Sequence, residues 1–180
     1  GAFLGTSVGA LAVVAMSLIN LAWHGFAGIN QSNPITLLAT LRVLPLIAGV
    51  WYFSGKKNYS LLVPALAIIA FNLHPIGIKV WYYSLFWLIP FAAWPLRKRF
   101  LLARALGSTF TAHAAGGAIW IWAFNLPAAV WIGLIPTVIL ERSIFTLGIS
   151  ASYLFTSNLL TYLSTKKLIP SIRFEKYLLK

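Results

Sequence analysis

Long apolar segments with almost no charge inside them restrict what this chain can fold into. Only 9% of its 180 residues are charged, whereas an ordinary soluble domain has about 25%. Hydrophobic residues make up 60% of the chain. Such a composition fits lipid as the solvent, and it predicts an all-helical, polytopic integral membrane protein.

Six segments are candidates to cross a bilayer, whose hydrocarbon core of roughly 30 Å takes about 20 helical residues. They cover residues 4–27, 34–54, 60–74, 79–96, 104–124 and 129–163. The third is short and contains or borders Pro64 and Pro75, which predicts a tilted, broken or re-entrant helix. The sixth is longer than a bilayer requires, so we expect it to project beyond the membrane or to bend near Pro136. Residues 164–180 then form a basic cytoplasmic tail.

Basic residues are distributed unevenly among the connections between these segments. Eleven follow the second, fourth and sixth segments: Lys56, Lys57, Arg97, Lys98, Arg99, Arg104, Lys166, Lys167, Arg173, Lys176 and Lys180. The other connections carry Lys79 alone. Because lysine and arginine accumulate in cytoplasmic loops, this asymmetry predicts six spans of a cell-membrane protein with both termini in the cytoplasm. The net charge of +12 is then a topology signal, and we expect no nucleic-acid partner.

The residue types that are missing exclude several chemistries. The chain has no cysteine, which rules out disulfides, thiolate metal sites and cysteine nucleophiles. Its three histidines are scattered, and no nucleotide-binding motif is present. We therefore expect no metal and no cofactor, and any energy source must be supplied by partner subunits.

Polar residues inside the apolar segments are the most informative feature of the sequence. Ionisable groups are costly in a membrane, so they normally face the bundle interior or a wet cavity. The candidate substrate-binding residues lie between the predicted midplane and the outer surface: Asn20, His24, Arg42, Asn72, His113, Glu141 and Arg142. The inner halves of the segments carry almost no such residues. This distribution predicts a polar cavity in the outer half of the bundle.

Each of these residues also has a purely structural interpretation. Glu141 and Arg142 point about 100° apart on a helix, so we expect that they do not neutralise each other. Glu141 would instead pair with Arg42, either as a structural bridge or as part of a site, and Arg142 would face carbonyls, water or an anion. For His113 a packed, hydrogen-bonded core histidine is the favoured interpretation. Asn20 and His24 share one helix face and could equally join two helices.

Small residues recur every three or four positions in three segments. The stripes consist of Gly1, Gly5, Gly9 and Ala12; of Gly107, Thr111 and Ala115; and of Gly148, Ser152 and Thr156. Such stripes let helix backbones approach closely. We expect them to pack within the chain or against a partner subunit.

The chain resembles the substrate-binding S components of energy-coupling factor transporters. The resemblance rests on size, six spans, cytoplasmic termini, the stretch "LRVLPLIAGVWYFSGKK" and the small-residue face of the first segment. It implies uptake of a vitamin or micronutrient, with a membrane coupling subunit and ATPases as separate partners. That family typically docks its coupling subunit through alanines spaced by three residues. The equivalent face here is Gly5, Gly9 and Ala12, which departs from that pattern.

Three functions are compatible with these observations. The favoured one is a transport subunit that captures a small solute, and two arginines against one glutamate indicate an anion. The second is a non-catalytic accessory or assembly subunit of a larger membrane complex. The third is an intramembrane enzyme with a lipid-like substrate, in which Glu141 and His113 act as acid and base. One intramembrane carboxylate is too few for metal-dependent phosphoryl transfer, and no catalytic residue is assigned.

Overall fold

The computed structural model describes residues 5–24 and 43–168, and every regular element in these residues is helical. The α-helices are α1 (Gly5–His24), α2 (Val43–Ser54), α3 (Leu62–Leu73), α4 (Ile89–Ala93), α5 (Leu101–Phe124) and α6 (Ala128–Thr165). Two 3-10 segments, Asn58–Leu61 and Gly77–Leu88, lead directly into α3 and α4. The predicted all-helical fold class is confirmed for this part of the chain.

Local sequence explains where α5 ends and α6 begins. Asn125 ends α5 in the left-handed conformation at φ 48°, and its N–H donates to the carbonyl of Ile121. Asparagine is one of the few residues that tolerate this conformation at a helix end. Pro127, in an extended conformation, then precedes α6. The fifth and sixth predicted segments therefore match α5 and α6 closely, whereas residues 34–42 of the second lie outside the described ranges.

The fourth predicted segment differs from an ordinary α-helix. Residues Gly77–Leu88 form a 3-10 segment interrupted at Val80, whose φ of −123° and ψ of 35° are not helical. Runs of 3-10 helix longer than three or four residues are uncommon because their hydrogen-bond geometry is poorer. Only Ile89–Ala93 within this predicted segment is α-helical.

Helix α6 is one continuous helix of 38 residues, about 57 Å long at 1.5 Å per residue. Pro136 lies inside it without ending it. Among the described helices, α6 alone is long and apolar enough to cross a membrane, and little of its apolar stretch is buried inside the chain. Three other apolar helical stretches, Thr6–Ile19, Val43–Ser54 and Asn58–Leu73, are shorter. By length and hydropathy together, the described helices contain one candidate membrane span, and the other five predicted spans stay a prediction.

Two sets of contacts define the ends of the bundle. At one end, the Ser54 hydroxyl donates to Thr6 Oγ1 at 3.0 Å, which joins the end of α2 to the start of α1. Arg97, just before α5, donates to the carbonyl of Gly55 at 2.7 Å. We name this the basic end, because residues 56–57 and 97–99 lie there. At the opposite end, Trp122 of α5 donates to the carbonyl of Ala70 of α3 at 2.9 Å. The basic connections are thus gathered as the charge asymmetry predicts.

An aromatic core fills the half of the bundle away from the basic end. The Phe71 ring meets the rings of Trp87 and Trp131 edge-on, at centroid distances of 5.1 and 5.0 Å. All three side chains are buried. Tyr83, Phe110 and Ile121 complete this core. It joins α3, the 3-10 segment, α5 and the first part of α6.

The small-residue stripe of α5 packs inside the chain, as predicted. A Cβ atom on Gly107 would lie 2.2 Å from the phenol ring of Tyr52 on α2. The Tyr52 hydroxyl donates to the carbonyl of Pro90 at 2.8 Å, which fixes the ring there. Gly117 is equally confined, because its Cβ would lie 2.5 Å from the Trp87 indole.

The stripe of α6 is different. A Cβ atom on Gly148 would meet no described atom within 4 Å. At Gly148, therefore, the stripe does not pack closely against another described helix, and of the two predicted alternatives a partner subunit stays a prediction. In the first stripe, Gly9 is buried on α1, which packs against α2. Gly1 lies outside the described residues, and the burial of Gly5 is not described.

Candidate functional site

A cavity of about 600 Å³ lies among α1, α2, α5 and α6. Its volume is within the range of roughly 300–1,000 Å³ that is usual for ligand sites. Most of its lining is apolar, including Leu46, Val50, Phe53, Phe145 and Ile149. Phe53 lies at the basic end, so this cavity differs from the polar cavity in the outer half of the bundle that the sequence predicts. The polar groups in the lining are the hydroxyls of Ser108, Thr109, Ser152, Tyr153 and Thr156 and the guanidinium of Arg142.

Arg142 is the charged group of this cavity. Its side chain is 16% exposed, and its Nη1 lies 3.4 Å from Thr109 Oγ1, a long hydrogen bond. Its Nε is buried and has no hydrogen-bond partner among the described residues. A buried donor without a partner costs about 1–3 kcal/mol. Arg142 therefore has hydrogen-bonding capacity that the described part of the protein does not use.

Glu141 pairs with its neighbour. Arg142 Nη2 lies 3.1 Å from Glu141 Oε2, so the expectation that these two residues do not neutralise each other is wrong. The long arginine side chain spans the angle that separates the two Cβ atoms. The Glu141 side chain remains 51% exposed, which leaves room for a second cation. Arg42 lies outside the described residues, and its pairing with Glu141 stays a prediction.

His113 belongs to a hydrogen-bonded network rather than to the cavity wall. Trp87 Nε1 donates to His113 Nδ1 at 3.0 Å, and Tyr83 Oη lies 3.1 Å from His113 Nε2. Because an indole N–H can only donate, Nδ1 must accept, and the proton of the neutral imidazole is on Nε2. His113 then donates to the Tyr83 oxygen. These are the contacts expected of a packed core histidine.

The remaining candidates from the sequence are placed as follows. Asn72 donates through Nδ2 to the carbonyl of Ile68 at 2.8 Å and to Ser84 Oγ at 3.0 Å, which ties α3 to the following 3-10 segment. Asn20 and His24 lie in α1, but their side chains are outside the described part. Of the four candidates whose side chains are described, Arg142 lines the cavity and Glu141 pairs with Arg142. Asn72 and His113 instead join neighbouring helical segments.

The sequence interpretation missed two buried arginines at the basic end. Arg97 and Arg104 were assigned to a loop as topology signals, yet they are only 5% and 8% exposed. Both donate to the carbonyl of Phe53 near the end of α2, Arg97 at 3.2 Å. Cations are favourable at a helix C-terminus, where carbonyls are left without helical partners. One feature of the sequence could have indicated the burial of Arg97, namely the tryptophan three residues before it. In the structure the guanidinium of Arg97 lies 4.0 Å from the ring centroid of Trp94.

This arrangement can bind an anionic or hydrogen-bond-accepting group at Arg142. The described residues include no group of three or more His, Asp or Glu side chains that could hold a metal ion. Both ring nitrogens of His113 are engaged by Trp87 and Tyr83. His113 and Glu141 are therefore not arranged as an acid and a base around one substrate. The geometry therefore favours binding over acid–base chemistry.

Comparison of the chain with protein-family models, curated proteins and solved structures found no match. The resemblance to S components of energy-coupling factor transporters therefore stays a prediction from the sequence.

Proposed function

We propose that this chain is a multi-pass protein of the cell membrane that captures a small anionic solute as the binding subunit of a transport system. The observation that carries the proposal is Arg142, the one charged residue that lines the cavity of about 600 Å³ in the described part of the chain. Charge-assisted hydrogen bonds from arginine are strong, and they suit carboxylate and phosphate groups. An anion in the cavity would accept hydrogen bonds from this guanidinium, whose side-chain polar contacts among the described residues are Glu141 and one long hydrogen bond to Thr109.

Support for six spans comes from the outer surface of the bundle. Large apolar side chains are exposed on separate helices, including Met16 (71%), Leu66 (63%) and Leu140 (63%). Extensive exposed apolar surface marks contact with lipid or with other proteins. The gathering of basic residues at one end favours a cytoplasmic location for that end. Lipid around all six predicted segments accounts for both observations.

Energy coupling would come from other chains. The sequence has no phosphate-binding nucleotide motif, so hydrolysis of ATP would require partner subunits. This division of labour is what the resemblance to S components implies. A membrane coupling subunit linked to ATPases is therefore the partner that we expect.

The test is to purify the protein gently in a neutral maltoside detergent and to identify what it retains by native mass spectrometry. We expect a stoichiometric small molecule in the wild type, and its loss in Arg142→Ala with the fold intact by circular dichroism. Arg99→Ala is the matched control, because Arg99 is an exposed cation at the basic end. A small molecule that stays with Arg142→Ala, or a wild type that carries none, would contradict the proposal.

A second candidate function is an accessory or assembly subunit, and Glu141 favours it. A carboxylate that is 51% exposed in the middle of α6 would need a partner in a membrane. A cation on a neighbouring subunit would supply one. In that case Glu141→Gln should release membrane partners on native electrophoresis, whereas Arg142→Ala should leave any bound solute unchanged.

A further inference from the structure

We infer that the solute bound at Arg142 is an amphiphile, with an anionic head group and an acyl chain, that reaches the cavity sideways from the bilayer between α1 and α6. This inference rests on the function proposed above. It adds the chemical class of the solute and its route.

The length of the cavity indicates an extended ligand. Its α6 wall runs from Arg142 to Thr156, about 21 Å at 1.5 Å per residue. Arg142 is the one charged side chain along this wall in the described residues. A small soluble anion would occupy the vicinity of the guanidinium and leave the rest of the cavity without contacts. A head group followed by a hydrocarbon chain matches both parts.

The lining beyond Arg142 suits a hydrocarbon chain. Val50, Phe145 and Ile149 present apolar surface there. The Ser108 hydroxyl is already used, because it donates to the carbonyl of Gly49 at 2.8 Å. Apolar walls with a few polar groups that fix orientation are the usual composition of a site for such a molecule.

The side of the cavity between α1 and α6 is open in the described part of the chain. Helix α1 packs against α2, and α6 packs against α5 and the 3-10 segment Gly77–Leu88, but α1 and α6 form no extended interface. Val13 of α1 lines the cavity opposite the small residues Gly148 and Ser152 of α6. No described atom lies within 4 Å of a Cβ placed on Gly148. A seam of small residues on the lipid-facing side admits a molecule that is already dissolved in the bilayer.

The chain offers a matched pair of variants to test this seam. Gly133 and Gly148 both lie on α6, and a Cβ atom on either would meet no described atom within 4 Å. Gly148 lines the cavity, whereas Gly133 does not. Replacement of a helical glycine by leucine also improves helix propensity, so both variants should fold. Gly148→Leu should block the cavity, and Gly133→Leu should not.

The experiment measures binding to the protein in phosphatidylcholine nanodiscs by ligand-induced thermal stabilisation. The probes are dodecyl phosphate, inorganic phosphate and dodecanol, which separate the charge from the chain. We expect dodecyl phosphate to bind at least about tenfold more tightly than either of the other two. Gly148→Leu should weaken its binding by at least about tenfold, Gly133→Leu should leave it unchanged, and Arg142→Ala should reduce it to the level of dodecanol.

The outcomes separate this inference from the proposed function. If inorganic phosphate binds as tightly as dodecyl phosphate and both depend on Arg142, the amphiphile and its sideways route are overturned, and solute capture stands. If no probe stabilises the wild type, the amphiphile is overturned, and solute capture is decided by whether the purified protein retains a small molecule. If Gly148→Leu binds dodecyl phosphate normally, the route along this wall is wrong. If the wild type co-purifies with a membrane subunit that Gly148→Leu loses, a partner helix occupies the cavity and the amphiphile is overturned.

Discussion

The two parts of α6, before and after Glu141, serve different surroundings. Before it, Trp131 and Val138 are 1% and 4% exposed and belong to the aromatic core. After it, Phe145 and Gly148 line an open cavity. In the core the hydrogen-bonding groups of His113 are satisfied, whereas at the cavity the Nε of Arg142 is not. The contrast is between a closely packed half of the bundle and a half that contains the cavity.

The largest expected effect is in the aromatic core. Trp87→Ala should lower the free energy of unfolding by about 3 kcal/mol, because it leaves a cavity and removes the donor to His113 Nδ1. The value is near the low end for such truncations, since lipid is itself apolar and adds little hydrophobic driving force. Thermal unfolding in maltoside detergent measures it. Phe145→Ala, at a half-exposed cavity position, is the control and should cost much less.

Trp87→Phe sharpens this prediction. It keeps an aromatic ring but removes the N–H that donates to His113 at 3.0 Å. We expect Trp87→Phe to be less stable than the wild type and more stable than Trp87→Ala. The free energy of unfolding should fall by about 1–3 kcal/mol, the cost of leaving an acceptor unpaired. A Trp87→Phe variant as stable as the wild type would show that the hydrogen bond to His113 contributes nothing to the core.

A smaller effect is expected where two helices meet most closely. Gly107→Ala places a methyl group 2.2 Å from the ring of Tyr52, which is itself buried. Overpacking of this kind costs about 1–3 kcal/mol. The double variant Gly107→Ala with Tyr52→Phe should show how much of the loss comes from the hydroxyl, which is among the crowded atoms. Unfolding measurements that find Gly107→Ala neutral would mean that α2 and α5 can separate freely.

The sequence predicted the parts of this fold that depend on hydrophobicity along the chain. The positions of α5 and α6 and the gathering of basic residues at one end follow from apolar length and loop charge. Other features depend on which faces meet, and a single sequence does not contain that information. Gly107 and Gly148 belong to similar stripes, yet one packs against Tyr52 and the other lines a cavity.

The candidate site was predicted only in part, because its geometry also depends on which side chains meet. Polarity in an apolar segment drew attention to Arg142 and Glu141, and Arg142 lines the cavity. It did not predict that the arginine side chain would reach its own neighbour at 3.1 Å, since that depends on rotamers. It also used Arg97 and Arg104 only as topology signals after the fourth segment, whereas both donate to the carbonyl of Phe53.

The smallest expected effect concerns the part of α6 that lines the cavity. Gly148→Ala and Gly133→Ala each place a methyl group in space that no described atom occupies within 4 Å. Alanine is favoured over glycine in a helix by about 1 kcal/mol, so both variants should be slightly more stable than the wild type. Equal gains in thermal unfolding would mean that neither glycine is needed for packing. A loss at Gly148 with a gain at Gly133 would mean instead that another helix closes on this stripe, and the space beside Arg142 would then belong to an interface rather than to a ligand.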